Sequence, residues 1–118
     1  MKAMAFQQAA EPLTLEAGLT GQYHSVEFQP KALGTFYHSR LWELTPGAPC
    51  VLVKPSSRVL PHLNVGDTLA MKYHPVDASR PDAVVNTRIG HITPEHQGRF
   101  KGHVLVGLTL LGDTENGV

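Results

Sequence analysis

The chain has 118 residues, of which 42% are hydrophobic and 17% charged. That is enough apolar material for one core and too little charge to hold the chain open, which excludes global disorder. Ten basic residues balance ten acidic ones, and neither sign forms a run that could follow a phosphate backbone or an anionic membrane, so no nucleic-acid binding is expected.

A single cysteine, Cys50, cannot close an intrachain disulfide, and the opening residues lack the apolar run of a signal peptide. No later segment reaches the apolar length that spans a bilayer. The expectation is a cytoplasmic protein with no membrane insertion.

Residues 1–12 are expected to form a loose arm or, over Lys2 to Ala10, a short helix. Residues 13–112 form the single domain and 113–118 a tail. Beyond the arm, breakers recur at short intervals, among them Gly18, Gly21, Pro30, Gly34, Gly47, Pro55, Pro61, Gly66, Pro75, Pro81, Gly98 and Gly102. Such spacing leaves room for strands and little for helices of ordinary length.

Six strands are expected: Tyr23 to Phe28, Gly34 to Leu44, Pro49 to Lys54, Thr68 to His74, Val84 to Ile92 and His103 to Leu111. In the last, Val104, Val106, Leu108 and Leu110 share one face, and the apolar character of both faces makes it central. In Thr68 to His74, alternation sends Leu69, Met71 and Tyr73 inward, with His74 on the polar face. Closing these strands into a small antiparallel β-barrel avoids long exposed edges, so the fold class is all-β.

Chemistry-bearing residues are sparse. His24, His38, His62, His74, His91, His96 and His103 are scattered without a familiar ligand spacing, so they read as surface histidines. A small metal-dependent enzyme built from them is one alternative reading. Cys50 beside Val51 and Leu52 reads as a packed strand residue, and Asp67 and Asp82 sit beside turns. No catalytic residue, metal site or cofactor is expected.

The densest cluster runs from Phe36 to Glu43. Phe36, His38, Arg40 and Trp42 alternate onto one face and Tyr37, Ser39, Leu41 and Glu43 onto the other. Two readings stay open: Trp42 fills the core while Arg40 snorkels, which is the expectation, or Phe36, Tyr37, Arg40 and Trp42 contact a partner.

The order Trp42 to Gly47, Leu63 to Met71, Thr87 to Ile92 and His103 to Leu110 resembles the PilZ domain, a six-stranded β-barrel of bacterial cyclic di-GMP signalling, over about residues 34 to 111. Nucleotide-binding PilZ members carry two arginines before the first barrel strand; here the first arginine of the chain is Arg40. Their second motif is an acidic or amide residue, then serine, then glycine, where this chain has Glu43, Thr45 and Gly47, with a methylated hydroxyl and the glycine one place early. The resemblance therefore implies a degenerate, non-catalytic regulatory or protein-interaction member with a protein partner and no cyclic di-GMP grip. A receptor that grips the dinucleotide with other cations, such as Arg58, Arg88 or Arg99, is the alternative within the binding class.

Overall fold

The structure is a computed structural model and describes residues 22–30, 32–45 and 47–113. The expected arm at 1–12 and all but the first residue of the tail lie outside this range. The described residues are all-β, with seven strands: β1 (Tyr23–Phe28), β2 (Tyr37–Arg40), β3 (Trp42–Thr45), β4 (Ala48–Val53), β5 (Thr68–Pro75), β6 (Ala83–Pro94) and β7 (Val104–Asp113). Every pairing is antiparallel, in the order β2-β1-β5-β6-β7-β4-β3.

The count exceeds the expected six because the strand expected over Gly34 to Leu44 divides at Leu41. Arg40 pairs with Ser25 of β1, and Leu41 donates its N–H to the His24 carbonyl at 2.9 Å. The next residue, Trp42, pairs with Cys50 of β4. β2 and β3 thus stand at opposite ends of the strand order yet are joined through one residue, which forces the sheet round into a nearly closed barrel. β2 also packs against β4 across this seam.

Val26, Phe28, Val51, Val53, Met71, Tyr73, Ile89 and Val106 line the interior, none more than 1% exposed. Val104, Val106 and Leu108 of β7 point inward with them, and Leu110 packs against the same cluster. β7 is central, between β6 and β4. Between β4 and β5 the chain makes a 3-10 turn at Leu60–His62 and buries Val59 and Leu63.

The Gly66 turn takes a positive φ of 97°, open to glycine at no steric cost, and its N–H reaches the Ile89 carbonyl at 2.8 Å, fixing the start of β5 beside β6. One polar pair sits inside the barrel, where the Tyr73 hydroxyl lies 2.9 Å from Thr87 Oγ1. No helix among the described residues is long and apolar enough to cross a membrane.

Candidate binding face

The face of Phe36, His38 and Arg40 turns outward, while Leu41 on the opposite face is buried at 2% exposure. This orientation also spares the core the unpartnered charge that a buried Arg40 would bring. Trp42 follows them outward. The expectation that Trp42 fills the core is therefore corrected; its indole is half-buried on the outer surface.

There the indole gathers groups from distant parts of the chain. The Arg40 guanidinium sits 4.3 Å from the indole centroid, and the Phe100 ring meets it edge-on at 4.9 Å. Arg99 lies 5.8 Å from the indole and 5.1 Å from the Phe100 ring. Arg99 and Phe100 come from the loop between β6 and β7, shaped by positive-φ Gly98 and Gly102 and by the Glu95 N–H to His103 carbonyl bond at 2.8 Å. Among the described residues no carboxylate pairs with Arg40 or Arg99. Two guanidiniums and two rings thus form one cluster, in which each cation is attracted to a ring face.

A second group of polar side chains lies across β2, β1 and β5. A register irregularity in β1 between Tyr23 and Ser25 lets Tyr23 meet the Tyr73 ring inside while Ser25 joins Arg40 and His74 in one row across the sheet. His38 Nε2 and Ser25 Oγ share a hydrogen bond at 2.9 Å. His74 has Glu27 Oε1 3.1 Å from Nε2 and Asp82 Oδ1 3.1 Å from Nδ1. Its ring stands edge-on to that of His38 at 5.2 Å. His74 is thus on the polar face, as its alternation requires, but half-buried between two carboxylates instead of free in solvent. A neutral imidazole can donate to one of them and an imidazolium to both.

The Ser25–His38 pair has the proximity of a nucleophile and its base, but among the described residues no third group bonds His38 Nδ1 to orient it, and Ser25 is 5% exposed. No group of three His, Cys, Asp or Glu among the described residues is placed to hold a metal ion. Cys50 is buried, and burial pushes its thiol pKa up, which disfavours the reactive thiolate.

Phe36 is 62% exposed; Tyr37 is half-buried, its ring 5.5 Å from that of Phe28, so the two do not form one surface. Glu43, Thr45 and Gly47 form the turn between β3 and β4: Glu43 Oε2 accepts the Gly47 N–H, Thr45 pairs with Ala48, and Gly47 has a φ of 80°. Arg58 and Arg88 are both exposed and make no ring contact with the cluster. Sequence reasoning singled out Arg40 and Trp42 but missed Phe100 as their neighbour. The only local signal was the aromatic flanked by cations in Arg99-Phe100-Lys101.

Beside Arg40 the outer face dips into an open depression of about 380 Å³ whose wall includes Tyr23, His24, Ser25, His38 and Ser39. Compared with known proteins, the chain matches no family model, no curated protein and no solved structure.

Proposed function

We propose that this chain is a non-catalytic regulatory or protein-interaction module, a PilZ-like barrel whose partner surface is the Arg40, Trp42, Arg99 and Phe100 cluster. The supporting observation is the cluster itself. Tryptophan and arginine dominate protein-interface energetics because a large ring and a planar cation bury much area with few degrees of freedom. Here both are already held in position by stacking, so less ordering entropy is lost on binding. On this reading Glu43, Thr45 and Gly47 serve as a hairpin turn, and the module works in the cytoplasm, where a lone buried thiol such as Cys50 stays reduced.

Photo-crosslinking tests it. Benzoylphenylalanine at position 100 should give one predominant protein adduct in cells that express the chain, lost with Trp42→Ala, while the same probe at exposed Val65 gives none. Equal adducts at both positions, or adducts indifferent to Trp42→Ala, would overturn the reading.

A second reading has one observation in its favour: Arg40 and Arg99, far apart in sequence, converge on the same indole, and paired guanidiniums grip phosphates. This is the cyclic di-GMP receptor with non-standard cations. On the protein-interaction reading, cyclic di-GMP at micromolar concentration gives no heat and no melting shift. A saturating ligand at ~100 times its Kd would add about 2.7 kcal/mol, a shift of many degrees that would promote the receptor.

A further inference from the structure

The depression beside Arg40 is lined by residues of β1 and β2 and by Leu41, and of these only Arg40 belongs to the partner surface. Among the described residues that line it, Arg40 is the one that carries a formal charge, and none is a carboxylate. The Arg40 guanidinium carbon lies 4.3 Å from the Trp42 ring centroid, a cation–π contact that restrains it, and its planar fork matches two oxygens of a tetrahedral oxyanion.

The remaining wall supplies short polar groups. The His24 ring is exposed and makes no hydrogen bond with a described residue, and His38, bonded through Nε2 to Ser25, keeps Nδ1 for a ligand. Burial raises the Tyr23 phenol pKa, with the Arg80 guanidinium opposing. Of the carboxylates, Glu27 and Asp82 are engaged by His74, and Asp77 accepts from Ser79.

We infer that the depression is an oxyanion site that takes the phosphate group of a small ligand, with Arg40 as the gripping residue and His24 and His38 as side donors. Its volume lies at the small end of the range for small-molecule sites, about 300–1,000 Å³. The inference shares Arg40 with the partner surface, but Trp42, Arg99 and Phe100 do not line the depression.

The test is a backbone-amide NMR titration with inorganic phosphate at constant ionic strength, with chloride as the control salt. Saturable shifts confined to residues 23–25 and 38–41 are expected, with phenyl phosphate giving the same pattern and phenylacetate at least several-fold weaker binding. Arg40→Ala should abolish saturation, Arg40→Lys should weaken it about tenfold by removing the fork, and Lys54→Ala, at an exposed position outside the depression, should leave it unchanged. Arg40 is exposed, so the variants should keep the parent spectrum elsewhere, and Arg40→Lys retains the stem should Arg40→Ala fold poorly. Linear shifts matched by chloride, shifts centred elsewhere, or saturation that survives both Arg40 variants would each overturn the assignment. A result against it leaves the crosslinking experiment at position 100 untouched.

Discussion

The His91 imidazole occupies the space that a side chain at Gly107 would need. Three of its ring atoms crowd the position of a Cβ there. The two residues are paired across β6 and β7, just past a register irregularity between Ile89 and His91, so the glycine in the middle of an otherwise apolar strand is explained by a ring on the neighbouring strand. Trp42 and Cys50 continue the same row on β3 and β4.

Gly107→Ala should therefore destabilise the domain by about 1 kcal/mol, the low end for overpacking. His91 is exposed and can swing out, at the expense of its 3.2 Å contact with Thr93 Oγ1. In a His91→Ala background the sign should reverse. There the three ring atoms nearest the new methyl group are gone, and the loss of unfolded-chain entropy should stabilise by about 0.5 kcal/mol. Urea denaturation of the four species of this cycle measures the coupling; equal costs in both backgrounds would rule out the imidazole as the cause.

The buried pair Tyr73 and Thr87 should respond asymmetrically to deletion. Thr87 Oγ1 donates to the Val85 carbonyl at 3.1 Å, so the Tyr73 hydroxyl is the donor between the two. Tyr73→Phe leaves Thr87 still bonded to Val85 and should cost about 1 kcal/mol. Thr87→Val strands a buried phenol donor and should cost about 2–3 kcal/mol. Denaturation midpoints rank the two, and the reverse order would mean that the proton lies the other way.

Alkaline pH should unfold the protein through the same phenol. Burial pushes the Tyr73 pKa far above its ordinary value, with the Thr87 hydrogen bond opposing only in part, and Tyr23 and Tyr37 are raised by burial in the same direction. Above about pH 10 the unfolded chain releases these protons and the folded one holds them, so the unfolded state binds fewer protons and stability falls as pH rises. Stability from this source is complete below about pH 10. Melting temperatures between pH 8 and 11 should drop steeply in the parent and less steeply in Tyr73→Phe; identical slopes would exclude Tyr73 as the main source.

Trp42 and Val106 should separate surface from core. Core aromatic-to-alanine changes cost about 3–5 kcal/mol, whereas a half-buried indole stacked on cations should cost about 1–2 kcal/mol in Trp42→Ala. Val106→Asp places an unpaired carboxylate at a site 1% exposed, which costs several kcal/mol against a total of about 5–15 and should leave no folded protein. Circular dichroism melts of both decide it. A Trp42→Ala loss as large as a core deletion would return the indole to the interior.

What the sequence by itself determined was local. Each residue step in a strand reverses the side chain, so Leu69, Met71 and Tyr73, and Val104, Val106 and Leu108, could be set on common inward faces before any strand had a neighbour. The turns at Gly66 and Gly47 were equally legible, because a positive φ is a property of one residue. The alternation of Phe36, His38, Arg40 and Trp42 was legible too, but not which face met the core. That was decided by the passage of the chain at Leu41 from β1 to β4, a matter of partners far away in sequence. The same holds for Phe100 and Arg99 against Trp42, for His74 between Glu27 and Asp82, and for His91 over Gly107. Each depends on which strands pair and in what register, and between segments far apart in sequence that is settled by the faces the whole barrel buries together, which no local periodicity encodes.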